Sequence, residues 1–259
     1  LVEIRTYGAL TKGLAGREMT EIGLMAAAGA VGFTDGTQTV SSALVMRRAL
    51  SYAKTFGQVI LQHAEEPTLS SEAGMNEGEI ATRLGLPGIP AAAEAIMLDR
   101  DMRLVELTGG RYHAAHISTR AGVEVIRAAK KRGLSVTCDT APAYFALNET
   151  AVGDYRTFAK LSPPLRAEAD RVAMVEGVAS GLIDFVTSGH DPQDVDTKRH
   201  PFAEAADGGH ALFDALRIES GIRRQGAKLR IHVRPVDAVD GRSARRIDRG
   251  REAAPVAHL

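Results

Sequence analysis

The sequence predicts an α/β fold on a parallel sheet, read as an incomplete (β/α)8 barrel, and three observations carry that reading. Short apolar runs alternate with helical segments from residue 1 to about residue 205. Several helical segments close on glycine (Gly29, Gly57, Gly109, Gly133, Gly181), the usual left-handed stop. The apolar runs end in polar tips. Buried strands separated by helices pair in parallel, because each crossover helix returns the chain to the same end of the sheet. An open doubly wound sheet and a closed barrel both satisfy that rule. No G-x-G-x-x-G turn follows the first strand, which counts against the dinucleotide-binding version. Polar residues at strand ends favour the barrel, whose reactive groups sit on the C-terminal rim.

Taken in order, Val2–Arg5 reads as a first strand, and GREMTEIGLMAAAG as a helix over 16–29. AAGAVGFTDG (27–36) is the next strand, and SSALVMRRALSYAKTFG (41–57) the helix after it. GQVILQHAEE (57–66), RYHAAHIST (111–119), GLSVTCDTAP (133–142) and GLIDFVTSGH (181–190) read as strands. The helices between them are IPAAAEAIMLDRDMRLVELTG (89–109), TRAGVEVIRAAKKRG (119–133) and LRAEADRVAMVEGVASG (165–181). That makes about six βα units where a closed barrel needs eight.

Composition narrows the function classes. Among 259 residues, 32 basic and 32 acidic side chains cancel, so no global field favours nucleic acid or an anionic membrane. A single cysteine, Cys138, rules out an internal disulfide framework and suits a reducing cytoplasm. No apolar run approaches the roughly 20 residues of a spanning helix. LVEIRTYGALTKG shows no signal-peptide pattern and no starting methionine, so the chain is expected to begin inside a longer protein. After about Gly208 the sequence changes: ten arginines fall between Arg217 and Arg251 with no sustained period. Residues 209–259 are expected to form a poorly ordered tail of the kind a shifted reading frame produces. Without interleaved aromatics they make no nucleic-acid surface.

The tips carry the chemistry. Asp35 ends GAVGFTDG, His63 ends QVILQH, His116 ends YHAAH and His190 ends DFVTSGH. Singly, each is an ordinary loop residue. Four closing four strands would converge on one rim, and imidazole with carboxylate suits zinc or a similar ion. Water on such an ion is a hydrolytic nucleophile.

HAEEPTLSSEAGMNEGEIATRLGLPGIPAAAEAIMLDRDMRLVELTGGRYHAAHIST, followed by FAKLSPPLRAEADR and DPQDVDTKRHPFAEAADG, closely resembles the dihydroorotases in their long bacterial form, a branch of the metal-dependent amidohydrolases. The resemblance spans about residues 7–208. It implies strands three to eight of an amidohydrolase barrel, the first two missing, and reversible hydrolysis of dihydroorotate to N-carbamoyl-aspartate in pyrimidine biosynthesis. It implies metal roles for His63, His116 and Asp35, the last as a bridging carboxylate, and substrate contacts for His190 and Ser162. The intact family holds one or two zinc ions; one or none is expected here.

Several departures matter. Gly189 stands where the family has its general-base aspartate; Asp191 lies one residue too late and is the alternative base only if a bulge or loop turn carries it to the rim. The family's first-strand H-x-H pair occurs nowhere in the chain. Ser162 replaces an asparagine, and Ala143–Tyr144 replace paired histidines. Arg166 and Lys160 are then read as a helix-start arginine and a solvated lysine. Impaired catalysis is expected, which leaves two alternatives open: a non-catalytic partner of aspartate transcarbamoylase, or a cyclic amidohydrolase acting on hydantoins or allantoin. A small-molecule substrate and a homo-oligomer are compatible with all three.

Overall fold

A computed structural model describes residues 4–209 and the backbone of residues 231–232. The chain opens with β1 (Gly8–Ala9), α1 (Ile22–Ala27), β2 (Phe33–Thr34), α2 (Ala43–Thr55) and β3 (Val59–His63). An excursion follows: α3 (Pro67–Ser70), β4 (Met75–Asn76), α4 (Glu79–Leu84) and β5 (Gly88–Ile89). The βα alternation then resumes through α5 (Ala92–Thr108), β6 (Arg111–Ala115), α6 (Arg120–Lys131), β7 (Val136–Thr140) and α7 (Pro142–Ala146). The remaining elements are α8 (Glu168–Ala179), β8 (Phe185–Thr187), α9 (Val195–Lys198) and β9 (Ile231–His232).

Seven strands form one sheet in the order β1-β2-β3-β6-β7-β8-β9, every pairing parallel. β4 and β5 form a separate parallel pair over the excursion. The expectation of a parallel α/β sheet with its helices in the crossovers is met. Two elements differ from it. Among the described residues the first strand is Gly8–Ala9: of the expected Val2–Arg5, Val2 and Glu3 lie outside the described residues and Ile4 is 84% exposed, while Gly8 N–H donates to Gly32 carbonyl at 2.9 Å. The helix expected over 16–29 contracts to Ile22–Ala27, because Lys12 and Thr20 N–H groups bond back to Glu18 and Leu10 carbonyls. The Arg-rich tail lies outside the described residues, apart from the backbone of Ile231–His232, which pairs with β8.

The helices form where the sequence carries a cap and a buried stripe. Ser42 accepts from Val45 N–H at 3.3 Å to start α2, whose inward face is Met46, Ala49, Leu50 and Ala53. Thr119 starts α6 by accepting from Gly122 N–H at 2.9 Å, and Lys130 and Lys131 complement the helix dipole in its last turn. All five glycines read as helix stops take positive φ. Those stripes meet Leu10, Phe33, Ile60, Tyr112 and Cys138 of the sheet in one core. Burial pushes the Cys138 thiol up to about 12, so it is a packing residue and no nucleophile. No helix among the described residues is long and apolar enough to cross a membrane.

α5 also buries two carboxylates, Glu94 and Asp101. Asp101 accepts from Tyr112 hydroxyl at 2.8 Å and pairs with Arg100 at 2.6 Å, yet burial lifts its pKa from 3.8 to about 6. The folded state therefore binds this proton more tightly than the unfolded chain. Its contribution favours folding below pH about 4 and is lost as pH rises toward 6, about 2–3 kcal/mol in all. Asp101→Asn should flatten that part of the stability profile in urea titrations between pH 4 and 7.

Candidate active site

The β3–β6 register places the first two histidines side by side. It runs from Val59 opposite Arg111 to His63 opposite Ala115, so His116 follows one residue beyond its neighbour strand's tip. The two rings lie 6.4 Å apart, and both residues are buried. His63 Nε2 is 3.3 Å from Ser162 Oγ, which brings the loop before α8 onto the same rim.

A carboxylate that the sequence did not single out anchors this rim. Asp139, on β7, takes His113 Nε2 at 2.8 Å on one oxygen. The other oxygen takes the backbone N–H of His116 at 2.9 Å, His116 Nδ1 at 3.0 Å and Thr187 hydroxyl at 3.1 Å. Burial alone would raise this carboxyl, but His116 and His113 outweigh it and hold the group well below the usual carboxylate range.

Behind the rim, Glu94 fixes the loop that carries His116. One carboxylate oxygen accepts from Ser118 N–H at 2.9 Å and its hydroxyl at 2.6 Å; the other accepts from Thr119 N–H at 3.0 Å and its hydroxyl at 2.7 Å. α6 approaches this carboxylate so closely that a Cβ on Gly122 would lie 2.2 Å from Glu94 Oε1. Only glycine fits there. Burial raises the Glu94 pKa, and Arg166 with the Ser118 and Thr119 bonds opposes it.

Arg166 is a buried clamp, which corrects its reading as a helix-start residue. It is 3% exposed; α8 begins only at Glu168. Its guanidinium donates to Ser118 hydroxyl at 3.2 Å, Asn76 Oδ1 at 3.2 Å and Ile89 carbonyl at 2.8 Å, tying the β4–β5 excursion to the His116 loop. Lys160 is likewise buried rather than solvated, donating to Ala203 and Ala205 carbonyls at 3.0 and 2.7 Å. Irregular backbone over 203–206 leaves carbonyls that need donors, and Lys160 with Lys198 supplies them.

The remaining expected residues are placed as follows. Asp35 is buried, with Thr11 N–H at 2.8 Å on one oxygen and Thr11 hydroxyl on the other. His190 is half-buried, its N–H donating to Ser188 Oγ at 3.2 Å. Asp191 is exposed and turned to Gln193, at 3.0 Å, and to the Gly208–Gly209 segment. Tyr144 is buried, its hydroxyl donating to Pro163 carbonyl at 2.9 Å. Gly189 sits at φ +58°, and a Cβ there would lie 2.8 Å from Ala141 Cβ.

Residues 1–122 match the model of the dihydro-orotase-like family. The dihydroorotase of Desulforapulum autotrophicum is 46% identical over 222 residues, 86% of this chain and 51% of that protein. The dihydroorotase of Desulfotalea psychrophila is 46% identical over 219 residues, 85% of this chain and 52% of that protein.

The chain belongs to the dihydroorotase-like family.

It spans about half the length of the curated relatives it matches. Among solved structures, the L-hydantoinase (dihydropyrimidinase) of Arthrobacter aurescens superposes with a TM-score of 0.68 at 25% identity, over 82% of this chain and 49% of that one. The dihydroorotase of Saccharomyces cerevisiae superposes with a TM-score of 0.63 at 17% identity, over 85% of this chain and 61% of that one, a likeness of fold. The dihydroorotase-like sheet is thus part of an amidohydrolase (β/α)8 barrel.

The family resemblance implies a metal ion, and the donor set tests that implication. Among the described residues no three His, Cys, Asp or Glu side chains stand together in position to hold one. His63 and His116 meet on the rim, while Asp35 is held by Thr11 and the Asp139 oxygens by two histidines and Thr187. These residues alone do not fit a metal centre. What they do supply is two imidazoles beside one hydroxyl, in a wall stiffened by Glu94, Asp139 and Arg166.

Proposed function

We propose that this chain is about half of a dihydroorotase, an enzyme that opens the ring of dihydroorotate to N-carbamoyl-aspartate, and closes it again, in cytoplasmic pyrimidine biosynthesis. The carrying observation is 46% identity to a dihydroorotase over 86% of this chain. The site's chemistry agrees. Opening a cyclic amide adds water oxygen to the carbonyl carbon, breaks the C–N bond and leaves a proton on the departing nitrogen. One group must take a proton from water and another must deliver one. In the intact enzyme the aspartate expected at position 189 is one of these groups, and His63 and His116, side by side on the rim, supply the other. Ser162 hydroxyl, within reach of His63, is its substrate hydrogen-bonding group.

One observation favours a second reading, a non-catalytic partner of aspartate transcarbamoylase. The position of the family's aspartate is built around glycine, with a left-handed backbone and Ala141 against it. A chimera decides between cyclic amides: residues 7–208 of this chain, carrying Gly189→Asp and Ala141→Gly, replace the matching half of the Desulforapulum enzyme. Turnover of dihydroorotate well above that of hydantoin is expected. Preference for hydantoin would overturn the substrate assignment. An inert chimera that is folded, with this chain co-sedimenting with aspartate transcarbamoylase, would favour the second reading.

A further inference from the structure

We propose that Asp139 is a positioning residue of the candidate site: through its two oxygens it sets opposite tautomers on His113 and His116 and holds the His116 backbone in its left-handed conformation. An ionised carboxylate only accepts hydrogen bonds, so each ring nitrogen against it must carry hydrogen. His116 meets Asp139 through Nδ1 at 3.0 Å, and His113 meets it through Nε2 at 2.8 Å. His113 Nδ1 is then the acceptor for Thr137 hydroxyl at 2.8 Å. His116, with Nδ1 protonated, keeps its basic lone pair on Nε2, the atom a proton carrier needs.

The backbone requires the same carboxylate. His116 has φ +55°, uncommon for a residue with a Cβ, and its N–H donates to Asp139 at 2.9 Å. Thr187 hydroxyl, from β8, completes the oxygen that holds His116. Asp139 therefore joins three adjacent strands at the point where the chain turns into the His116 loop.

The role rests on the reading of His116 as part of the site, but its test does not need substrate. In the 15N-labelled 259-residue chain, imidazole nitrogen shifts at a pH where both rings are neutral report where each proton sits. His116 should carry it on Nδ1 and His113 on Nε2, in one spectrum. Asp139→Ala should move the His116 proton to Nε2, since only the longer contact to Thr187 hydroxyl, at 3.4 Å, would remain at Nδ1. Asp139→Asn should keep it, its amide oxygen facing the two His116 donors and Thr187, while its NH2 turns to His113 and drives that proton to Nδ1. A proton on Nε2 of His116 in the unaltered chain would overturn the proposal, as would a folded Asp139→Ala chain that keeps it on Nδ1. Should the alanine variant fail to fold, the unaltered and asparagine spectra decide alone. Dihydroorotate hydrolysis is assayed separately. With the assay made on the chimera that carries Gly189→Asp and Ala141→Gly, the expected tautomers beside an inert, folded chimera would support the positioning role and count against the functional reading only.

Discussion

Arg166→Met should cost about 1–3 kcal/mol of stability, the usual result of leaving buried acceptors without their donor. Arg166 is 3% exposed, its guanidinium among Ser118, Asn76 and Ile89, with the buried Glu94 nearby. Methionine fills the volume and supplies no donor, so Asn76 Oδ1 and the Ile89 carbonyl lose the guanidinium and the buried Glu94 loses a nearby positive charge. Glu94 can answer by taking a proton, since its pKa already stands above the ordinary value. The loss should therefore be largest at neutral and higher pH and shrink as pH falls. Urea titrations at several pH values check this. Arg166→Met with Glu94→Gln should recover part of the loss, and a loss independent of both pH and Glu94 would show the clamp to be simple packing.

Hydrolysis of dihydroorotate by the chain with its natural Gly189 should fall about 10²–10⁴-fold or more below intact relatives, the usual worth of a general acid or base. The structure adds that Gly189→Asp alone is no repair. At φ +58°, with Ala141 Cβ 2.8 Å from the new Cβ, the substitution should destabilise the chain by about 1–3 kcal/mol. Ala141→Gly removes the contact and should return part of that stability. Denaturation midpoints of the single and double variants, beside their turnover in the chimera, separate the strain from the missing carboxylate. Asp191, exposed and turned to Gln193, should tolerate Asp191→Asn without loss of activity.

The strands around Ile60, Tyr112 and Val136 were legible because buried apolar residues recur along them between helical segments: Ile60, Tyr112, Ala114, Val136 and Cys138. The helices were legible through their stripes and glycine stops. β1 was not: Gly8–Ala9 is two small residues held by its neighbour's carbonyls, with no apolar run to mark it. β4 and β5 lie inside MNEGEIATRLGLPGI, where pairing depends on contact between Met75–Asn76 and Gly88–Ile89 rather than on local pattern. In the site, His63 and His116 stood out as polar endings to buried strands. Asp139 did not, because within VTCDT it reads as one more alternating strand residue; only the cross-strand neighbours His113 and His116 give it meaning. Arg166 is illegible in the sequence for a similar reason, its partners Asn76 and Ile89 lying 90 and 77 residues away.

On the proposed reading, His63 and His116, brought together on the rim by the β3–β6 register, carry the chemistry of this half of a dihydroorotase. The direct measurement is kcat/KM for dihydroorotate in the chimera carrying Gly189→Asp and Ala141→Gly, with and without His63→Ala and His116→Ala. Each alanine should lower it by at least about 10²-fold while the fold is retained by circular dichroism. Undiminished turnover with both histidines removed would contradict the account.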